Sequence, residues 1–171
     1  MADLKNTIFV NSKKVEVNNV HYDITLLDWL RNYNKLTGTK EGCAEGDCGA
    51  CSVIIEENGS GNLRPINSCL VRLGQVMGGS ITTIEGLGSN KNPHPLQIAF
   101  TNKYASQCGY CTPGFIMSGV SLLNSNKKIT DDSINDAISG NLCRCTGYSP
   151  IIKAIKSAAK YRITQNNKQS I

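Results

Sequence analysis

GCAEGDCGAC, residues 42–51, places three cysteines and three glycines in ten positions, with four and then two residues between successive sulfurs. Three thiols so close together, on a segment that glycine leaves free to bend, suit a disulfide knot, a zinc site or an iron–sulfur cluster. The rest of the chain has to choose among them.

Disulfides are disfavoured first. The opening stretch MADLKNTIFVNSKKVEVNNV has no apolar run of signal-peptide length, and no later stretch approaches the roughly 18 apolar residues of a membrane span. The expected compartment is the cytoplasm, where thiols stay reduced. A chain of 171 residues with 40% hydrophobic and 18% charged residues is ordinary for a globular protein of one domain or two small ones. Its eight cysteines (43, 48, 51, 69, 108, 111, 143, 145) exceed what packing needs and divide into two sets of four.

Cys43, Cys48, Cys51 and Cys69 give C-x4-C-x2-C followed by a fourth cysteine, which is the plant-type ferredoxin spacing for a [2Fe–2S] cluster. Zinc sites more often pair C-x2-C with another C-x2-C or with histidines, and neither pattern occurs in this half. Gly42, Gly46 and Gly49 would let the backbone wrap a cluster and aim amide N–H groups at its sulfurs.

Cys108 and Cys111 in QCGYCTPG, with Cys143 and Cys145 in NLCRCTGY, make C-x2-C and then C-x-C, each pair just ahead of a predicted helix start. Helix N-termini there would offer N–H groups to an anion. The spacing favours a metal site, and a cluster over zinc; a redox dithiol would leave Cys143 and Cys145 unexplained.

The formal charge is +5 with cysteines counted neutral. Eight thiolates around two cores of roughly +2 each would bring it to about +1, so the apparent basicity balances cluster charge or is a solvated lysine face. No nucleic-acid motif accompanies it.

The expected elements begin with a β-hairpin, TIFV (7–10) and VEV (15–17) joined by Asn11 to Lys14, then a helix over about 25–34 with Thr25 and Asp28 as a capping pair. Its stripe is Leu26, Leu30 and Tyr33, with Trp29 and Tyr33 at core spacing. CSVIIEE (51–57), a turn NGSG (58–61), LRPI (63–66) and SITTI (80–84) read as further strands and their connection, giving a small mixed sheet crossed by one helix.

Composition changes at EGLGSNKNPHP (85–95), rich in Gly, Asn and Pro. Beyond it Pro95, Pro113, Thr130 and Ser149–Pro150 open four helices with apolar stripes, a bundle in outline. His94 reads as a helix-opening residue, Arg144 as either a cluster counter-charge or a solvated side chain, and QNNKQSI at the end as frayed.

These residues resemble the small iron–sulfur subunit of the molybdenum hydroxylases, the xanthine dehydrogenase and aldehyde oxidoreductase group. The resemblance lies in GTKEGCAEGDCGACSV, NSCL, ITTIEGL, HPLQ, QCGYCTPGFI and GNLCRCTGYSPI, and covers roughly residues 5–160. It implies an α+β fold: a ferredoxin-like β-grasp [2Fe–2S] domain at 1–85, an all-α four-helix-bundle [2Fe–2S] domain at 86–165, and a polar tail at 166–171. Cys43, Cys48, Cys51 and Cys69 would hold one cluster; Cys108, Cys111, Cys143 and Cys145 the other.

The resemblance further implies an electron-transfer subunit of a hetero-oligomeric oxidoreductase, relaying electrons between a molybdopterin in a large subunit and FAD in a medium subunit. Gln107 and Cys145 would lie against the pterin. No carboxylate pair, activated nucleophile or phosphate-cradling motif suggests substrate chemistry in this chain, and flavin and molybdenum domains are expected from partners. One departure is that Lys103 and Tyr104 stand where the family usually has His-Gly. No nucleic-acid or membrane partner is expected; the competing readings are a free two-cluster ferredoxin and a redox-sensing binding module, the latter implying regulatory partners and having no nucleic-acid motif in its support.

Overall fold

Asn11 and Ser12 carry φ of 50° and 66°, and two successive left-handed residues form the tight hairpin turn that matches the right-handed twist of paired strands. A computed structural model of the protein describes residues 6–56, 61–125 and 127–166. The turn joins β1 (Thr7–Val10) directly to β2 (Lys13–Glu16), so Lys13 and Lys14 pair with Val10 and Phe9 instead of lying in the loop expected at 11–14. Being short and lysine-bearing, β2 makes a protected sheet edge.

The five-stranded sheet has the order β2-β1-β5-β3-β4. β3 (Ser52–Glu56) and β4 (Leu63–Asn67) are antiparallel, and β5 (Ser80–Thr82) lies between β1 and β3, parallel to the first and antiparallel to the second. Most of the turn expected at 58–61 falls outside the described residues.

Because strand side chains alternate, β3 serves two cores. Val53 and Ile55 face Ile8, Leu26, Trp29, Leu30, Leu73 and Ile81, whereas Ile54 packs among the helices that follow.

α1 (Leu26–Asp28) opens under Thr25, whose Oγ1 accepts the Asp28 amide at 3.0 Å while its hydroxyl donates to Asp28 Oδ2 at 3.0 Å. It continues as a π-helical turn over Trp29–Tyr33, closed by Asn34 N–H donating to the Trp29 carbonyl. The wider turn advances each side chain by a smaller angle. Trp29 is accordingly buried as expected, but Tyr33 is carried off the apolar stripe and is 57% exposed.

Four helices follow: α2 (Pro95–Asn102), α3 (Thr112–Asn124), α4 (Asp131–Ile138) and α5 (Ser149–Asn166). Each starts at an expected signal. His94 Nδ1 accepts the Leu96 N–H and Gln97 Oε1 accepts the His94 N–H, a reciprocal cap ahead of Pro95; Thr130 and Ser133 do the same for α4. α5 reaches one residue into the segment expected as a tail, and 167–171 lie outside the described residues.

Leu96, Phe100, Phe115, Val120, Ile134, Ile138, Ile151 and Ile155 make the second core. α3 is its hub, touching the three other helices and, on its far side, β3 and β4. No helix among the described residues is long and apolar enough to cross a membrane.

Candidate metal centres

The first loop folds back on itself through its own sulfurs. Cys43 N–H donates to Cys48 Sγ at 3.3 Å, and Cys48 N–H to Cys43 Sγ at 3.4 Å. Gly46 and Gly49 take φ of 89° and 66°, values a side chain strains, so each reverses the chain where the loop needs it. Gly42 matters differently: a Cβ there would lie 2.7 Å from Cys48 Sγ.

The amides of Glu45, Cys48 and Asp47 face Cys43, and with the Cys48 side chain they lower its thiol to about 7 despite some burial. Cys51 and Cys69, by contrast, are buried beneath Leu27 with their sulfurs 3.4 Å apart. Burial, then the neighbouring Cys51 sulfur, push the Cys69 thiol up to about 12. Buried in this way, the Cys69 thiol becomes a thiolate only with cationic charge beside it.

The second set repeats the arrangement. Cys108 and Cys145 are exposed with sulfurs 3.6 Å apart, and the Cys108 sulfur raises the Cys145 thiol. Cys111 and Cys143 lie deeper. Burial and then the Cys143 sulfur push Cys111 up to about 12. At Cys143 burial is the largest influence and acts upward, but hydrogen bonds with the Thr146 hydroxyl and amide, the Cys111 side chain and the Cys145 amide together outweigh it and the thiol is lowered overall. Tyr148 Oη accepts the Cys143 N–H at 3.0 Å, and its ring meets Phe115 edge-on at 6.0 Å. Cys111 is the N-cap of α3, and Cys145 stands four residues before α5.

All eight cysteines are free. Among the described residues no three Cys, His, Asp or Glu side chains group closely enough to hold one metal ion; the thiols approach in pairs. Two thiolates on one tetrahedral metal at about 2.3 Å would sit about 3.7 Å apart, close to the 3.4 and 3.6 Å seen here. Two pairs per set fit a dinuclear core with two protein sulfurs on each metal better than a mononuclear zinc site. Neither histidine takes part: His94 caps α2, and His21 is exposed in the loop after β2.

The loops also meet each other. Leu142 N–H donates to the Cys48 carbonyl at 3.0 Å, Asn141 Nδ2–H donates to the Gly49 carbonyl at 3.0 Å, and Tyr110 Oη–H donates to the Glu41 carbonyl. The sequence did not point to Asn141, Ser118 or Gly114. Its one available signal was Gly114 and Ser118 at i and i+4 in α3, two small residues that leave a notch through which another backbone can approach. Gln107 is exposed beside Cys108, and Arg144 is exposed between Cys143 and Cys145. Lys103, Lys153, Lys156 and Lys160 line a shallow cavity of 290 Å³ on the helical side, and Lys156 pairs with Asp131.

Fold and thiol pairs together define a protein with two [2Fe–2S]-binding units. Residues 8–74 match the 2Fe-2S iron-sulfur cluster binding domain, and residues 83–156 the [2Fe-2S] binding domain. A xanthine dehydrogenase of Blastobotrys adeninivorans is 46% identical over 88% of this chain, and aldehyde oxidase 1 of Bos taurus 45% identical over 89%. The chain spans only 11% and 12% of those two proteins.

Among solved structures, the aldehyde oxidoreductase of Desulfovibrio desulfuricans superposes with a TM-score of 0.85 at 37% identity, over 93% of this chain and 17% of that one. Quinoline 2-oxidoreductase of Pseudomonas putida 86 gives 0.78 at 38% identity, over 92% of this chain and 94% of that one. The chain belongs to the [2Fe–2S] iron–sulfur subunits of the molybdenum hydroxylase family.

The departure at Lys103 and Tyr104 has a local reading. Lys103 is the C-cap of α2, and Tyr104 takes φ 53°, a left-handed position that glycine fills with less strain. The Tyr104 ring is 84% exposed, four residues ahead of Cys108 in the chain.

Proposed function

We propose that this chain is the electron-transfer subunit of a molybdenum hydroxylase, relaying electrons between a molybdopterin in a large subunit and FAD in a medium one. Cys43, Cys48, Cys51 and Cys69 would hold the first cluster, within a β-grasp domain at 1–85. Cys108, Cys111, Cys143 and Cys145 would hold the second, within a four-helix bundle at 86–165. Each cluster, when bound, supplies one-electron transfer.

This chain's own residues hold the thiolates, aim amides at them and shield one pair of each set from water. The observation that carries the reading is that two sets of paired thiols sit on loops in direct hydrogen-bonded contact, so that a charge entering one set has the other as its neighbour. The exposed positions of Gln107 and Cys145 suit a contact across an interface, with Gln107 and Cys145 facing the pterin and the assembly cytoplasmic.

The test is metal and sulfide analysis of anaerobically purified protein, followed by identification of the polypeptides that purify with it. Four irons and four sulfides per chain, with partners bearing flavin and molybdenum, are expected. Zinc in place of iron refutes the cluster assignment, and a loaded monomer with no partner refutes the subunit reading in favour of a free ferredoxin.

A further inference from the structure

Asn141 lies two residues before Cys143, is 4% exposed, and hydrogen-bonds through every polar group of its side chain. Its Oδ1 accepts the Ser118 hydroxyl at 2.7 Å, from the middle of α3, while its Nδ2–H donates to the Gly49 carbonyl at 3.0 Å, between Cys48 and Cys51. The carboxamide is therefore a strut with one end on a rigid helix and the other on the opposite cysteine loop.

Packing around it leaves no slack. A Cβ on Gly49 would stand 2.4 Å from Asn141 Nδ2 and 2.3 Å from the Gly140 carbonyl; one on Gly114 would stand 2.2 Å from the Gly49 carbonyl. Next door, Leu142 N–H holds the Cys48 carbonyl. The strut needs an acceptor at one end and a donor at the other, which asparagine offers and aspartate, an acceptor at both ends when ionised, does not.

We propose that Asn141 is a positioning residue for electron transfer between the clusters: its carboxamide fixes the separation and relative orientation of the two cysteine loops. The proposal rests on the two-cluster relay, which wild-type protein tests separately: without two distinct [2Fe–2S] signals in the electron paramagnetic resonance spectrum the relay itself fails.

With both signals present, Asn141→Asp keeps the shape and reverses the donor. The variant retains four irons, and the magnetic interaction between the two reduced clusters weakens. The Leu142 amide exchanges with solvent faster, and inter-cluster transfer after a reducing pulse slows. Ser118→Ala, which releases the other end of the strut without touching a cysteine loop, gives a smaller change of the same sign. An Asn141→Asp protein with wild-type magnetic interaction, Leu142 protection and transfer rate overturns the proposal. Should that variant fail to fold, an unchanged magnetic interaction in Ser118→Ala overturns it equally.

Discussion

Replacing Gly114 with alanine tests whether the seam between the cysteine loops is as closely fitted as the geometry demands. The new methyl would stand 2.2 Å from the Gly49 carbonyl oxygen and 3.1 Å from Asn141 Nδ2. The nearest obstacle is backbone, which cannot swing away as a flexible side chain would. Overpacking a fitted site costs about 1–3 kcal/mol, and a backbone contact this short belongs at the upper end. Alanine in a helix returns about 1 kcal/mol relative to glycine, leaving a net loss of about 2 kcal/mol. For a protein of this size that lowers the melting temperature by about 4–8 °C. The assay is thermal unfolding of the cluster-loaded protein by circular dichroism, at one scan rate because loss of a cluster is irreversible. Gly140→Ala is the matched control, since a Cβ there meets nothing within 4 Å. If Gly114→Ala melts with Gly140→Ala, the seam has room for a methyl group and is not closely fitted.

Cys48→Ser removes a first-set thiolate but leaves the second set whole; two irons should remain per chain, with electrons still reaching the second cluster and not the flavin, read by rapid-mixing spectra. Loss of both clusters would show the two sets to be interdependent. Gln107→Ala should leave iron content unchanged and weaken pterin retention by about 1–3 kcal/mol, the effect of an unsatisfied buried partner; wild-type retention and subunit assembly would return Gln107 to a turn residue. Burial lowers the pKa of His94, whose neutral Nδ1 caps α2. With the folded value below the unfolded one, its contribution is present above the ordinary histidine range and is lost as pH falls through the lowered value. His94→Ala should cost about 1 kcal/mol at neutral pH and flatten the acid limb of a stability–pH curve; an unaltered limb would assign it to other groups.

Much of this protein was legible in the order of its residues, for a physical reason in each case. The intervals among Cys43, Cys48, Cys51 and Cys69 were legible because the length of chain between ligands limits which metal core a backbone can wrap, and these intervals differ from the common zinc patterns. The helix starts were legible because a cap acts over three or four residues: His94 with Gln97, Thr130 with Ser133, and proline in the first turn of α2. The hairpin was visible for the same reason, although its turn proved to be only Asn11 and Ser12. Tyr33 escaped because a π-helical turn changes the phase of a stripe that assumes a constant pitch.

Tertiary structure alone decided how the two halves meet. Nothing in CSVIIEE says that Val53 and Ile55 serve one core while Ile54 serves another; that follows from α3 lying across the sheet's second face. Nor does GNLC announce that its asparagine reaches Gly49, 92 residues away. Such a contact carries no local period or spacing, because its partners are brought together only when both cores have formed. The sequence by itself therefore determined that the cysteines fall into two sets, each within a [2Fe–2S] domain pattern, and the tertiary structure decided that the two loops are neighbours, joined by hydrogen bonds from Asn141, Leu142 and Tyr110.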